Sequence, residues 1–390
     1  MIKKITIVTP YFAPAWSYGG PPRVLYTLAR ELVRNKIKIN VITTDALDEK
    51  RNRTFVENLD GIQVNRFPMI SNTLAYRYKI FYVHNLSVKV LEILKPTDAV
   101  LFSDLRTLLN WQIYKIVQKF RIPYGIFPFG QIPYDKSGKS IIKRLFDQLW
   151  VKDFVSHASW RFAQTAHEQA MYGRYFDIDF DKTQLLYLPA PSEVYRVTER
   201  ETEQFRKKWN IKKHDKVILF VGRLHVLKGV DILIKSVLPL IQEDRSVKLL
   251  IVGRDDGVLE RLTLNIPKDC RGNVIFTRGL YGRDVACAYQ AADCFAITPR
   301  FYEETSMAAL TALSHSVPVV TTVESEVPFL DKYNAGITVS NSIIDIQKSL
   351  IKILSLSQIQ RDRMGRNAVQ LVNDKFRADK IAQRLIKIIY

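Results

Sequence analysis

Residues 216–241 read KVILFVGRLHVLKGVDILIKSVLPLI and contain a strand, a loop and a helix in direct succession. The apolar, β-branched run Lys216–Val221 predicts a buried strand, and the apolar residues of Asp231–Ile241 recur at helical spacing. The loop between them carries two glycines and two cations. A buried strand that leads through such a loop into an amphipathic helix is typical of an α/β domain with a parallel sheet.

The same alternation continues on both sides of this stretch. In the second half, strands are predicted at Val247–Val252, Asn273–Thr277, Cys294–Thr298 and Pro318–Thr322, with helices near Val258–Leu264 and at Asp284–Ala292 and Thr305–Ser314. In the first half, strands are predicted at Ile5–Thr9, Ile39–Thr43, Ile62–Phe67 and Ala99–Phe102, with a helix at Pro21–Arg34. Each half therefore predicts a doubly wound, Rossmann-like α/β domain.

The boundary between the halves is marked by the segment Pro189–Ser192, which follows a predicted strand at Leu185–Leu188. We therefore expect an N-terminal domain over residues 1–190 and a C-terminal domain over residues 191–375. The last residues, about 376–390, predict an amphipathic helix that packs back on the N-terminal domain.

The charge of the chain is strongly positive. Its 390 residues have a formal net charge of +19 and a pI of about 9.7. Nucleic acid, an anionic membrane surface and an anionic small molecule are all partners that such a charge fits, and a solvated basic surface is a fourth interpretation. No recognised nucleic-acid-binding module occurs in the sequence, so we expect no nucleic-acid partner.

The cysteines and the apolar runs indicate the compartment. Cys270, Cys287 and Cys294 lack the Cys-x-x-Cys spacing of zinc or redox sites, and a sparse, odd count is typical of reduced thiols in a cytosol. No run reaches the roughly 18 apolar residues of a membrane-spanning helix. We therefore expect a cytoplasmic protein.

Two basic amphipathic stretches lie in the first half, at Tyr76–Lys95 and Lys139–Phe154. Helices of this kind lie on anionic lipid or pack as core helices with a charged outer face, and the sequence leaves both interpretations open. A peripheral position on the inner face of a membrane is thus one expectation for this protein.

The first candidate ligand-binding motif is Tyr18-Gly19-Gly20-Pro21-Pro22-Arg23, which follows the first strand and opens the first helix. Ligands of open α/β sheets bind beyond the carboxyl ends of the strands. Two glycines allow a ligand to approach the backbone, and a helix N-terminus offers free N–H groups to an anion. A simple turn is the alternative interpretation.

The second candidate motif is the loop that begins at Gly222. Arg223 and Lys228 could converge there on a diphosphate, the first through its planar fork and the second as a point charge. Both would stabilise the negative charge that grows on a leaving phosphate. Two exposed loop cations without a ligand are the alternative.

The third candidate motif is Pro299-Arg300-Phe301-Tyr302-Glu303-Glu304-Thr305-Ser306-Met307, between a strand and a helix. Acids at this position commonly complement the dipole of the following helix. Alternatively, one carboxylate holds sugar hydroxyls while the N–H groups of Thr305–Met307 face a phosphate. Together the three motifs suit a phosphorylated donor in a cleft between two domains.

These motifs also carry a resemblance. The phrases FVGRLHVLKGVDILIKS (220–236) and PYFAPAWSYGGPPRVLYTLARELVRN (10–35) are similar to the donor-phosphate loop and the N-terminal glycine loop of retaining glycosyltransferases of family four. The resemblance covers nearly the whole chain. It implies the GT-B fold, in which two Rossmann-like domains face each other across a cleft, with the acceptor on the N-terminal side and the donor on the C-terminal side.

The motifs and the resemblance together give expected roles to particular residues. Those expected to bind the donor are Gly19, Gly20, Gly222, Arg223, Lys228, Glu304, Thr305, Ser306, Met307 and Thr311, and those expected to act in catalysis are Arg223, Lys228 and Glu303. Glu303 corresponds to the first acid of the family's Glu, seven residues, Glu motif. The second acid of the motif usually binds the hydroxyls of the nucleotide ribose. That position holds Thr311 here, which is shorter and uncharged, so ribose binding is expected to differ from that of the family.

The resulting expectation is transfer of a sugar from a nucleoside-diphosphate sugar to a saccharide or lipid-linked hydroxyl acceptor, with anomeric retention. Cell-surface polysaccharide or glycolipid synthesis is the expected setting. No metal or other cofactor is expected, since no His/Glu cluster has metal spacing and the resemblance implies metal-independent transfer. A nucleotide-sugar epimerase and a non-catalytic relative are the alternatives.

Overall fold

The computed structural model describes residues 2–48, 50–84, 86, 88–134, 140–191 and 194–390. Two compact units divide the chain. The first comprises residues 1–189 together with 378–390, and the second comprises residues 190–377. Ser192 of the predicted linker and Lys139 of the second basic stretch lie outside the described residues.

The first unit is built on an eight-stranded sheet. Its strands are β1 (Lys4–Val8), β2 (Lys38–Thr44), β3 (Val56–Leu59), β4 (Ile62–Phe67), β5 (Ala99–Ser103), β6 (Tyr124–Phe127), β7 (Trp160–Ala163) and β8 (Gln184–Leu185). They lie in the order β3-β4-β2-β1-β5-β6-β7-β8. All pairs are parallel except β3 with β4.

Helices cover this sheet. They are α1 (Gly20–Arg34), α2 (Asn72–Tyr78), α3 (Val88–Leu94), α4 (Leu108–Lys119), α5 (Ser140–Phe146), α6 (Lys152–Ser156) and α7 (Ala166–Phe176), and a π-helical turn (Asp147–Val151) joins α5 to α6. The central strand β1 is buried from Ile5 to Val8 because helices cover both of its faces.

The second unit contains a six-stranded, fully parallel sheet. Its strands are β9 (Lys216–Val221), β10 (Val247–Val252), β11 (Val274–Arg278), β12 (Cys294–Ile297), β13 (Val319–Thr322) and β14 (Gly336–Val339). Its helices are α8 (Glu199–Lys208), α9 (Val230–Glu243), α10 (Leu259–Leu264), α11 (Arg283–Gln290), α12 (Met307–Ser314), α13 (Ile343–Leu354) and α14 (Gln358–Leu371), and a π-helical turn (Val372–Phe376) follows α14.

The strand order of this second sheet is β11-β10-β9-β12-β13-β14. This is the order of a Rossmann fold, which reverses its winding between the first and fourth strands. Ligands of such sheets bind at the carboxyl ends of the strands beside the reversal. In this unit the reversal lies between β9 and β12, and in the first unit it lies between β1 and β5.

The chain ends in helix α15 (Ala378–Ile389), which belongs to the first unit. Its apolar residues Ile381, Ala382 and Leu385 are buried in one cluster with Leu25 and Leu28 of α1. The amphipathic pattern of this segment thus places it on the first unit although about 190 residues separate it from the rest of that unit.

Three of the predicted elements differ clearly in the structure. Near the expected strand Leu185–Leu188, only Gln184–Leu185 forms a strand. This edge strand, β8, pairs with β7 at two residue positions. Helix α12 begins at Met307, two residues later than expected, because Glu304 has a positive φ of 60° that interrupts helical geometry. The stretch Tyr76–Lys95 contains parts of two short helices, α2 and α3, in place of one continuous helix.

In the described residues, no helix is both long and apolar enough to cross a membrane.

His315, which follows α12, is a half-buried titratable group of the second unit. Burial lowers its pKa from 6.5 to about 4, and its ring stacks on Tyr289 with 5.2 Å between centroids. Between these two pH values the His315 imidazole is therefore protonated in the unfolded chain and neutral in the folded chain. We expect the free energy of unfolding to fall as the pH drops from about 6.5 to about 4, by up to about 3 kcal/mol through this group.

Urea unfolding at about pH 7 and about pH 4.5 measures this effect. His315→Phe keeps an aromatic ring against Tyr289 and removes the titration, so this variant should lose less stability in acid than the natural protein. The exposed His214→Gln serves as the control. An equal acid loss in the natural protein and in His315→Phe would contradict the expectation.

Candidate functional site

The loop after β9 lies against the end of β10. The backbone N–H of Gly222 donates to Val252 O at 2.9 Å, and that of Leu224 donates to Arg254 O at 2.8 Å. The two backbone segments approach so closely that a Cβ on Gly253 would lie 1.7 Å from Gly222 O. This close approach requires glycine and holds the first part of the loop in place.

The other end of the loop is held against the end of β12. Gly229 has a φ of 62°, and a Cβ there would lie 1.9 Å from Thr298 O. The Thr298 hydroxyl donates to Gly229 O at 3.1 Å, and the backbone N–H of Arg300 donates to Leu227 O at 2.9 Å. The loop from Gly222 to Gly229 therefore spans the reversal point of the sheet.

Arg223 extends from this loop with 46% of its side chain exposed. Its guanidinium is 3.0 Å from Asp256 Oδ2, and the guanidinium of Arg254 is 3.0 Å from the other oxygen of the same carboxylate. Asp256 was not singled out from the sequence. Its only signal there was an acid in the loop after the second strand of the unit.

Lys228 and Glu303 come together in the structure. The Lys228 ammonium is 2.6 Å from Glu303 Oε2, and about a quarter or less of each side chain is exposed. The backbone N–H of Glu303 donates to Glu324 O at 2.8 Å, which fixes the acid beside the end of β13. A cation and a carboxylate from motifs 75 residues apart therefore share one site.

Glu304 and Thr305 lie inside the unit. Glu304 is buried, and its carbonyl accepts from the Ser325 hydroxyl at 3.0 Å. The Thr305 hydroxyl donates to Glu326 O at 3.0 Å. These contacts tie the segment before α12 to the segment after β13, and they leave Glu303 as the more exposed acid of the pair.

The beginning of α12 offers backbone donors. Ser306 is the N-cap residue, but its side chain makes no capping hydrogen bond, so the N–H groups that start at Met307 are not closed by a cap. Such a helix end suits an anion. One turn later, the Thr311 hydroxyl donates to Met307 O at 2.7 Å and so is already committed to the helix backbone.

Gly19 and Gly20 lie in the first unit. Gly19 has a φ of 100° and ends the turn Trp16–Tyr18, and Gly20 is the first residue of α1. The region around a Cβ on Gly19 is open. The glycine turn therefore has open space beside its backbone, in the loop that follows β1.

Asp104 occupies the reversal point of the first sheet and was missed from the sequence. It follows β5 directly, is fully buried, and accepts hydrogen bonds from the Ser103 hydroxyl at 3.2 Å, the Tyr11 hydroxyl at 3.3 Å and the Gln131 amide. Burial raises the pKa of this carboxyl to about 6. An acid directly after a predicted buried strand was the available signal.

His225 has a structural role in the loop after β9. Its Nδ1 accepts from the Leu227 N–H at 3.2 Å, and burial, followed by the charge of Arg223, lowers its pKa. Across the ranges that the structure describes, no three His, Cys, Asp or Glu side chains are grouped to hold a metal ion.

Comparison with known proteins supports a family resemblance. Residues 215–355 match the family model described as Glycosyl transferases group 1. An uncharacterized glycosyltransferase of Methanocaldococcus jannaschii is 26% identical, with 99% of this chain and 97% of that protein covered. A D-inositol 3-phosphate glycosyltransferase of Corynebacterium efficiens is 26% identical over 56% of this chain, and that match spans about half of the relative, 53% of its length.

The solved structures show the fold. The Anabaena protein Alr3699/HepE, in complex with UDP-glucose, superposes with a TM-score of 0.74 at 15% identity and covers 99% of both chains. The GT-B fold predicted from the sequence is confirmed by this likeness. The resemblance to GT-B glycosyltransferases is confirmed by the family match and the relatives together.

Proposed function

We propose that this chain, whose residues 215–355 form a glycosyl transferases group 1 domain within a GT-B fold, transfers a sugar from a nucleoside-diphosphate sugar to a hydroxyl acceptor with retention of anomeric configuration. One observation carries the proposal. Lys228 contacts Glu303 beside the reversal point of the second sheet, where ligands of such folds bind. The loop of Lys228 also carries Arg223, and the segment of Glu303 leads into the uncapped start of α12.

The two cations would act on the leaving group. When the bond between the anomeric carbon and the diphosphate breaks, negative charge grows on the diphosphate oxygens, and preorganised cations stabilise that charge. Asp256 and Glu303 hold Arg223 and Lys228 in fixed orientations. A diphosphate would compete with these carboxylates for the same N–H donors, and Glu303 would then be released to contact the sugar.

The proton of the acceptor hydroxyl would pass to the departing phosphate on the same face of the sugar, so the protein need not supply a separate base. The first unit would hold the acceptor, with the Gly19–Gly20 turn and Asp104 at the carboxyl edge of its sheet. Asp104 would act there through its partners, because its buried carboxyl already accepts from Ser103, Tyr11 and Gln131.

We propose that the donor is a uridine nucleotide sugar, since the Anabaena protein with this fold holds UDP-glucose. We expect UDP or a UDP-sugar to raise the melting temperature, because a ligand that binds only the folded state stabilises it by mass action, by about 2.7 kcal/mol at a hundredfold excess over Kd. Thermal-shift measurements with UDP, GDP, ADP and their sugar conjugates test this expectation.

Arg223→Ala should abolish most of the shift, whereas Arg245→Ala, which removes a comparable exposed Arg–Asp pair of the same unit, should leave it unchanged. If only GDP or ADP raises the melting temperature, the donor carries guanine or adenine in place of uracil, and the proposed donor site still holds. The absence of any nucleotide-dependent shift would favour a non-catalytic relative, which Thr311 also favours because its hydroxyl is committed to Met307 O.

An epimerase on the same fold is the other candidate. Incubation of the donor without acceptor distinguishes the two, since an epimerase converts one nucleotide sugar into another and a transferase does not. Sugar transfer is favoured because the residues at the second unit's site are cations and a salt-bridged acid, not an acid/base pair poised on either side of a sugar carbon.

We further propose a cell-surface polysaccharide or glycolipid as the product and peripheral contact with an anionic membrane. Exposed apolar side chains of the first unit support this, namely Ile70, Leu74, Tyr78 and Ile80 at α2 and Leu145 and Leu149 at α5 and the π-turn. Arg77 and Lys79 lie within the first group in sequence, and Arg144 and Lys152 lie on either side of the second. Apolar side chains next to cations are what an anionic bilayer surface binds.

A further inference from the structure

A solvent-open cleft of about 520 Å³ lies in the first unit beside the loop that joins β2 to β3. Its walls include Asp45, Lys50, Arg51, Asn52, Arg53 and Phe55, and we refer to it as the basic cleft. None of these residues belongs to the motifs from which the donor site was predicted.

The cations of the basic cleft outnumber its acid. Lys50 and Arg53 are exposed, and neither forms a salt bridge with another residue that the structure describes. Arg51 is 3.4 Å from Asp45 Oδ2, and Asp45 is buried with its other oxygen accepting from the Met69 N–H at 2.9 Å. The acid is thus committed to the loop, and two cations remain to face solvent across the cleft.

The position of the cleft is the ligand-binding edge of the sheet. Asp45 directly follows β2, and the loop stands at the carboxyl ends of β2 and β4. The Ser17 hydroxyl donates to Leu47 O at 2.9 Å, which links this loop to the turn that ends in Gly19. The cleft and the glycine turn therefore lie on one edge of one sheet.

The loop that carries the cations is well braced. The Asn52 N–H donates to Asp45 O at 2.7 Å, and an antiparallel bridge joins Ala46 to Arg51. The buried Arg66 donates to Thr54 O at 3.2 Å, which holds the outgoing strand of the loop. A braced loop loses little backbone entropy when its cations bind an anion, and this lowers the cost of binding.

We propose that the basic cleft binds a phosphate group carried by the acceptor. This inference rests on the proposed function and adds the chemical class of the acceptor. Phosphate matches the two exposed cations, Lys50 and Arg53, that line this one cleft. Phe55, 48% exposed in the same wall, supplies an apolar surface for the carbon face of a sugar or polyol that carries the phosphate. The carrier is either a soluble phosphorylated saccharide or the headgroup of a phosphate-bearing lipid.

Calorimetric titration with glucose 1-phosphate and with glucose tests the inference. The titration is carried out on an Arg223→Ala/Lys228→Ala background, so that phosphate bound at the donor site does not contribute. We expect glucose 1-phosphate to bind and glucose not to bind. Adding Lys50→Ala and Arg53→Ala should lower the affinity for glucose 1-phosphate at least about tenfold, because two charge-assisted contacts are lost.

The matched control adds Lys36→Ala and Lys38→Ala to the same background. Both lysines are exposed, Lys36 two residues before β2 and Lys38 at its first position, so the control removes the same charge at the opposite edge of the sheet. Binding should remain unchanged in this control. Equal weakening in both variants would mean that net charge alone attracts the anion, and this result would overturn the inference.

Co-sedimentation with phosphatidylcholine vesicles, with and without phosphatidic acid, identifies the carrier. Loss of glucose 1-phosphate binding in the Lys50/Arg53 variant supports a soluble carrier, and loss of phosphatidic acid-dependent vesicle binding in that variant alone supports a lipid carrier. If neither probe distinguishes it from the Lys36/Lys38 control, the inference is wrong. The UDP-dependent thermal shift of the natural protein reports on the donor site separately, so failure of the inference is distinguishable from failure of the proposed function.

Discussion

Replacing Lys228 or Arg223 by alanine is expected to lower kcat/KM for sugar transfer about 10²- to 10³-fold. Each substitution removes a preorganised cation from the position where leaving-group charge develops, and losses of this kind are worth about 2.7–4 kcal/mol of transition-state stabilisation. Lys228→Ala should be the more severe, because it also leaves the carboxylate of Glu303 without its cation in a site where only 20% of that side chain is exposed.

Matched ion pairs of the same unit provide the controls. Arg245 is paired with Asp269 at 2.7 Å, and Lys216 is paired with Asp244 at 3.1 Å, with exposures similar to or greater than those of the site residues. Arg245→Ala and Lys216→Ala should keep kcat/KM within about twofold, as expected for surface ion pairs. Full activity in the Arg223 and Lys228 variants would refute the role of the loop after β9.

Gly229→Ala is expected to lower the free energy of unfolding by about 3 kcal/mol or more, with loss of nucleotide binding. The substituted residue would need a φ of 62°, and its Cβ would lie 1.9 Å from Thr298 O, so the backbone must move. Movement at this point separates the loop after β9 from the end of β12. Chemical denaturation and the UDP-dependent thermal shift measure the two consequences.

Gly257→Ala separates the two causes. Gly257 also has a positive φ, 89°, but its Cβ would meet no atom within 4 Å. This variant should therefore lose only about 1 kcal/mol from backbone conformation. If Gly229→Ala and Gly257→Ala lose equal stability, the contact with Thr298 is not the reason that glycine is required at position 229.

Buried strands of the second unit were readable from the sequence. Lys216–Val221 and Val247–Val252 were predicted with the bounds that the structure shows, because parallel strands covered on both faces are continuous apolar runs. In the first unit β6 and β7 were not predicted. Each has only four residues, and a short apolar run does not distinguish a strand from part of a buried helix.

The loops that carry Arg223, Lys228 and Glu303 could also be placed from the sequence, since each follows a predicted strand and leads toward a helix. The sequence by itself therefore determined the fold class and the edge of the sheet where the candidate residues lie. Local patterns suffice for this, because the alternation of strand and helix is written in consecutive residues.

Only the tertiary structure decided which side chains meet. The contacts of Lys228 with Glu303 and of Arg223 with Asp256, the buried Asp104 and the basic cleft all depend on strand order and on close backbone approaches such as that of Gly229 to Thr298. These contacts join residues tens of positions apart in sequence. Hydrophobic periodicity contains no information on such pairings, because it records which face of an element is buried and not what lies against it.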